Sequence, residues 1–404
     1  MGATAGGTPR GGQTWIFDQL IRMSRNEDVL HPGIMGIRLE RGFKYADMQR
    51  VFERVGSARA YPRAWEREAE RQEALAMAAE AQGRTVTAAG HRHRAALYYG
   101  RAQHLTPGRD SRRPRRYEGL RRNYQALLGH LGGRVTHHRI DLGDGRHVYA
   151  LFHRAPGDGP RPTVLYIPGM DAVKEDYPSP FLNDFTARGI NVIAMDGPGQ
   201  GEALADGVTI DLDNYQLAVR RVLDAFADAP EIDQARIACF GTSMGTYWSV
   251  LATVDEPRIR ALAGQMPNVG TKQVIFNEAQ PNFRRIYMHM TGISSEAEFD
   301  ALIPRMDEAL ERAAARLSVP YLLLGGDLDE LTPVDHMDAW FDKLSCPREL
   351  WVYRDAYHPM GEVVADAYPA LADWLLDALD GRILPGTDRR IEIDPRELPD
   401  EADA

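Results

Sequence analysis

Apolar residues recur every three to four positions from Trp15 to Leu131, and no period-two alternation interrupts them, so the first third of the chain is expected to be helical. Its plainest part is a helix pair. Ala64 to Gln82 is rich in Ala, Glu and Arg, Gly83 is placed to stop it, and Thr85 or Thr87 can cap a second helix reaching His104. Pro107 and Gly108 break the pattern before a basic run of Arg112, Arg113, Arg115 and Arg116, expected as a solvated turn salt-bridged to acidic neighbours. An amphipathic helix from Tyr117 to Leu131 follows.

After Gly132 and Gly133 short β-branched runs alternate with helical ones, starting with a hairpin of Val135 to Leu142 and His147 to His153. Further strands are expected at Thr163 to Ile167, Ile190 to Met195, Arg236 to Phe240, Ala261 to Gln265, Tyr321 to Leu324 and Glu349 to Tyr353. Strands this apolar, separated by helices, imply a mostly parallel sheet covered on both faces, an α/β fold. The expected organisation is a disordered N-terminus (1–13), a helical cap domain (14–132), a catalytic α/β domain (133–384) and a loosely attached polar tail (385–404). Within the catalytic domain a helical insertion (268–317) is long enough to roof a site.

The uncharged stretch Ile237 to Val254 has the length of a membrane segment, but Gly241, Thr242, Ser243 and Gly245 interrupt it, which points to a buried strand, a tight turn and a helix. The same turn is the sharpest chemical signal in the chain. Gly241-Thr-Ser-Met-Gly245 is a G-x-S-x-G nucleophile elbow in its strand-turn-helix context, with Ser243 as nucleophile and the Met244 N–H free to hold an oxyanion.

A serine hydroxyl needs a base, and in this arrangement an acid and then a histidine follow in chain order. Only His289, His336 and His358 lie beyond Ser243, and His358 follows the last expected strand, so it is the expected base. Asp327, Asp329 and Glu330 follow the preceding strand, and Asp329 best fits the spacing to Thr332-Pro333. The second oxyanion donor is expected after Ile167-Pro-Gly, from Met170, with Asp171 next. Asp171, Glu278 and His289 are the candidate substrate contacts. Asp196-Gly-Pro-Gly-Gln-Gly201 spells neither nucleotide-binding glycine pattern and is expected to shape the floor of the site.

Composition narrows the picture. With 48 Lys and Arg against 58 Asp and Glu, the net charge of −10 argues against nucleic acid as a partner. Two cysteines, Cys239 and Cys346, make neither a disulfide framework nor a Cys-based zinc site. No metal and no cofactor is expected. The opening MGATAGGTPRGGQ offers no apolar signal core and no lipidation pattern, so a cytoplasmic protein without membrane contact is expected. The expected partner is a small-molecule substrate, and a homodimer is allowed.

Over about Val135 to Leu384 the elbow, acid turn and histidine loop resemble the α/β-hydrolase superfamily. The stretch Pro168-Gly-Met-Asp-Ala-Val-Lys-Glu-Asp-Tyr and the Asp196 to Gly201 turn resemble, more narrowly, the subgroup of 2,6-dihydroxypseudooxynicotine hydrolase, fungal polyketide-shortening pigment hydrolases and the fermentation/respiration switch proteins. Pro168 departs from the glycine many relatives carry there. The resemblance implies hydrolysis of a carbon-carbon bond beside a carbonyl, through Ser243, Asp329 and His358. A carboxylesterase, thioesterase or acyltransferase, or a regulatory homologue without turnover, stands as the alternative.

Overall fold

The computed structural model describes residues 14–24, 31–57, 59–103, 111–181 and 183–397. The expected disorder of residues 1–13, the break at Pro107 and Gly108, the end of the second helix at His104 and the last seven residues of the tail lie outside these.

Six helices come first: α1 (Thr14–Ser24), α2 (Ile34–Glu40), α3 (Tyr45–Phe52), α4 (Tyr61–Ala81), α5 (Thr85–Arg101) and α6 (Arg113–His130). Helices α4, α5 and α6 pack as successive antiparallel neighbours around Trp65, Tyr98, Leu120 and Tyr124. Thr85 is the first residue of α5, and no side-chain cap precedes it. The basic run is solvated and paired with acids at Arg112 and Arg115, but it is only in part a turn. It opens α6, where Pro114 supplies the preset φ of a first helical turn, and Arg116 is buried with its Nε 3.1 Å from Glu66 Oε2. Arg115 pairs with Glu70 at 3.3 Å in the expected way.

The remaining chain forms one nine-stranded sheet in the order β1-β2-β4-β3-β5-β6-β7-β8-β9. The strands are β1 (Val135–Gly143), β2 (Arg146–His153), β3 (Arg161–Ile167), β4 (Asn191–Asp196), β5 (Ile232–Thr242), β6 (Ile259–Gln265), β7 (Tyr321–Gly326), β8 (Arg348–Tyr353) and β9 (Asp388–Ile393). Strands β1 and β2 are antiparallel to their neighbours, and every pairing from β4 to β9 is parallel. The helices between them are α7 (Asp184–Ala187), α8 (Gly201–Ala205), α9 (Asn214–Ala225), α10 (Met244–Thr253), α11 (Pro281–Thr291), α12 (Glu296–Ala314), α13 (Val334–Phe341) and α14 (Val364–Leu379), with a π-helical turn at Val274–Glu278.

Period-two alternation divides the core. On β5, Ile237 and Cys239 face α9, α10 and α12, whereas Ala238 and Phe240 face α7 and α14. Each large apolar side chain so buried contributes about 1.5–3 kcal/mol. The insertion is helical as expected, as α11 and α12.

Residues 388–393 correct the expectation of a loose tail. They pair in parallel with all of β8, with Ile393 packed on the core and Asp388 2.7 Å from Arg348. An edge strand needs backbone partners on one side only, so a charged sequence suffices there.

The helical region is bolted to the sheet at one close crossing. A Cβ on Gly36 would lie 1.9 Å from Gly361 O, and one on Gly361 would lie 1.6 Å from Gly33 O, so α2 sits directly on the loop after β8. Among the described residues no helix is long and apolar enough to cross a membrane.

Candidate active site

Strand β5 turns into α10 at Ser243, whose φ of 54° and ψ of −125° are strained for a residue with a Cβ. The turn persists because its neighbours leave no alternative. A Cβ on Gly241 would meet Gly245 O at 2.4 Å, and one on Gly245 would meet Ile167 O at 2.2 Å. The Ser243 N–H donates to Gln265 O at 2.9 Å and the Thr246 hydroxyl donates to Gly241 O at 3.1 Å.

The structure brings Ser243, His358 and Asp329 together. Ser243 Oγ is 2.9 Å from His358 Nε2, and His358 Nδ1 is 3.0 Å from both carboxylate oxygens of Asp329. These partners assign the proton to Nδ1, leaving Nε2 to accept from the serine hydroxyl. Asp329 Oδ1 also accepts the N–H groups of Leu331 (2.9 Å) and Thr332 (2.7 Å), which fixes the orientation of the carboxylate. Both His358 and Asp329 are buried. Burial alone would push the His358 pKa down; the charge and hydrogen bond of Asp329, with the charges of Glu330 and Asp171, outweigh it and hold the pKa above the ordinary value. Of the two rival acids, Asp327 is exposed, and Glu330 accepts the His358 backbone N–H at 3.2 Å.

Met170 and Met244 flank the serine, both buried. Met244 opens α10, so its N–H has no carbonyl one turn back to bond. The Met170 loop lies against the nucleophile, since a Cβ on Gly169 would sit 3.2 Å from Ser243 Cβ. Gln200, from the glycine-rich turn after β4, braces this loop by donating to Pro168 O (3.2 Å) and Gly169 O (2.9 Å), and Tyr215 holds Gln200 Oε1 at 2.7 Å.

A cavity of about 120 Å³ opens over Ser243 and His358. Its floor is Gly169, Met170 and Thr242; its walls are Ile37, Arg38 and Arg41 around α2, Leu97 and Arg101 of α5, and Ile275, Asn282 and Phe283 of the insertion. A larger hollow of about 800 Å³ shares Met170, Asp171, Ala172 and Asp176 with it. Asp171 therefore lines both. His289 lines only the larger one, where burial, aided by Arg113, pushes its pKa down to about 4. Glu278, the last residue of the π-helical turn, is exposed and lines neither.

His31 had no signal in the sequence, lying far upstream of the elbow. Its Nδ1 is 3.2 Å from Glu330 Oε1, its ring stacks 6.1 Å from that of His358, and Phe283 meets it edge-on at 5.9 Å. Glu330 is held at a pKa of about 2: burial works against its charge, but the His31 hydrogen bond and the His358 charge prevail.

The family model for FrsA-like esterases matches residues 60–298, more than half of the chain. The chain belongs to the FrsA-like esterase family. That match takes in Ser243 and ends before Asp329 and His358. Esterase FrsA of Escherichia fergusonii is 33% identical over 151 residues, 37% of this chain and 36% of the relative, and that of Escherichia coli O157:H7 is 34% identical over the same shares. The matched segment thus spans about a third of the length of these curated relatives. Among solved structures, 2,6-dihydroxy-pseudo-oxynicotine hydrolase superposes with a TM-score of 0.77 at 23% identity, covering 88% of this chain and 99% of that one. Wild-type AbyA5 follows with a TM-score of 0.65 at 16% identity, covering 83% and 90%. At these identities the likeness is one of fold: the α/β-hydrolase sheet with its N-terminal helices.

Proposed function

We propose that the chain is a serine hydrolase that cleaves a bond beside a carbonyl, and that its substrate is a β-dicarbonyl or aromatic ketone split at carbon-carbon. The observation that carries the hydrolase reading is the linear arrangement Ser243 Oγ to His358 Nε2 (2.9 Å) to Asp329 (3.0 Å) at the floor of a roofed cavity. In this reading His358 accepts the serine proton as Oγ attacks the carbonyl, and Asp329 stabilises the imidazolium. The N–H groups of Met170 and Met244 hold the oxyanion. His358 then protonates the leaving carbon, and water releases the acyl group from Ser243 by the same route. A carbanion leaves only if a second carbonyl or an electron-poor ring takes up its charge, which is why the substrate class is a dicarbonyl or aryl ketone. Esters need no such sink, and the family's esterase description supports a carboxylesterase as the second reading.

Fluorophosphonate labelling with mapping of the adduct, followed by a panel of β-diketones and esters, tests both. Label on Ser243 and release of one acid and one ketone per diketone are expected. Ester turnover without diketone cleavage selects the second reading, and absence of label on Ser243 removes both.

The oxyanion role of the Met170 loop has its own check. Gly169→Ala places a methyl 3.2 Å from Ser243 Cβ and 3.3 Å from Thr242 O, so the loop must retreat by a few tenths of an ångström. A fall in kcat of roughly tenfold to hundredfold, with KM moving less, is expected from steady-state kinetics.

A further inference from the structure

Ser243 and His358 occupy one side of the smaller cavity, and α2 presents Ile37, Arg38 and Arg41 to the same space. Arg41 follows the last turn of α2, its backbone N–H bonded to Ile37 O at 3.0 Å, so its side chain is carried in by a fixed backbone. Nε of Arg41 is buried with no hydrogen-bond partner, the uncharged Tyr368 hydroxyl lies within hydrogen-bonding reach of the guanidinium, and among the described residues no ion pair to it is found. Asp171 and Asp176, which line the cavity as well, act on it only through space. Burial opposes its charge, yet Tyr166, Tyr368 and these two aspartates keep its pKa above the ordinary arginine value, so the group stays cationic. The other cations of the cavity are engaged: Arg101 Nε donates to the Tyr61 hydroxyl, and the Arg38 guanidinium lies 5.3 Å above the Phe43 ring.

A half-buried guanidinium that faces a cavity without a bonded counter-charge is placed to take an anion there. We propose that Arg41 is a substrate-recognition residue that binds a carboxylate, so that the compound cleaved at Ser243 is an acidic one, carrying a carboxylate within reach of the scissile carbonyl. The planar fork of arginine suits a carboxylate bidentately, and the apolar walls of Ile37, Leu97 and Phe283 leave the pair poorly screened. This inference rests on the hydrolase reading, because it places the anion relative to Ser243.

The test follows protection of Ser243 from a fluorophosphonate by short carboxylates (butyrate, hexanoate) against the amides of the same length. In the wild-type protein the carboxylates are expected to protect at concentrations at least tenfold lower than the amides. Arg41→Gln is expected to lose at least tenfold in carboxylate protection, and Arg41→Lys, which keeps the charge and loses the fork, to fall between the two. Equal protection by acid and amide in the wild-type protein overturns the proposal while leaving the labelled serine and the hydrolase reading standing. Equal carboxylate protection in Arg41→Gln and wild type overturns it too. Should Arg41→Gln fail to fold, the wild-type comparison decides alone. Calorimetric titration of the same acids and amides reads Arg41 even if Ser243 takes no label, an outcome that would sink the hydrolase reading instead.

Discussion

Ser243→Ala is expected to lower kcat about a millionfold on whichever panel substrate the wild-type protein turns over, as removal of a triad serine does when nucleophile and base act as one unit. Nothing else in the cavity replaces the lost oxygen. Thr242 and Thr246 are the nearest hydroxyls along the chain, and they are bonded to Tyr166 and to the Gly241 carbonyl. The fold should survive. Alanine tolerates a φ of 54° no better and no worse than serine, so the elbow's strain is unchanged, and the one hydrogen bond given up is worth about 1 kcal/mol. The urea midpoint should therefore barely move while turnover collapses. A double variant with His358→Ala should be no slower than Ser243→Ala alone, since the base has nothing left to activate. Undiminished hydrolysis by the single variant would mean that the 2.9 Å contact between Ser243 and His358 is not where the chemistry happens.

The elbow could be read from the chain because its requirement is local. Two glycines must flank a strained serine for strand and helix to touch, and Gly241 and Gly245 do so in five residues. Asp329 and His358 could be read because chain order and strand ends restrict the choice, and the eight strands expected from apolar runs are all present, with ends shifted by a few residues. What was hidden depends on packing between distant segments. His31 reaches His358 only because Gly33, Gly36 and Gly361 let α2 settle on the histidine loop, and no spacing rule announces that crossing. Strand β9 was hidden for another reason: its pairing is through backbone at a sheet edge, and its side chains read as a solvated tail. Glu278, the last residue of the π-helical turn, is exposed and lines neither cavity. The Asp196 to Gly201 turn does more than shape a floor. Its Gln200 holds the very carbonyls that fix the Met170 loop, and Asp196 accepts from the buried Lys174 Nζ at 2.8 Å, so the two loops expected to matter separately are a single braced unit.

A second contact between the helical region and the catalytic domain, around His93, should make the protein acid-labile well above the range where carboxylates titrate. His93 of α5 and His153 of β2 are buried, and each has its pKa pushed down to about 3, by burial first and, for His93, by the nearby charges of Arg94 and Lys44. Neither ring nitrogen of His153 has a hydrogen-bond partner among the described residues, so no acceptor waits for a second proton. Above pH 6.5 both states are neutral at these positions and stability is at its full value. Below it the unfolded chain binds protons that the folded one refuses, so stability falls by roughly 1.4 kcal/mol per pH unit for each histidine until pH approaches 3. Between pH 7 and 5 the pair should cost about 4 kcal/mol, near a thousandfold in the folded-to-unfolded ratio. His358 works in the opposite direction, since its folded pKa is raised, while His289, with its pKa down at about 4, and His91 and His138, also lowered by burial, add to the loss. Urea unfolding at pH 7 and pH 5 measures the difference. His153→Leu, which fills the site with an apolar side chain of similar bulk, should remove one histidine's share of it, about 2 kcal/mol, by taking away one of these protonations. Identical urea midpoints at the two pH values would show that the histidines accept protons in place, and that the helical region is held to the sheet more loosely than the packing of His93 against Gly42 and Phe181 implies.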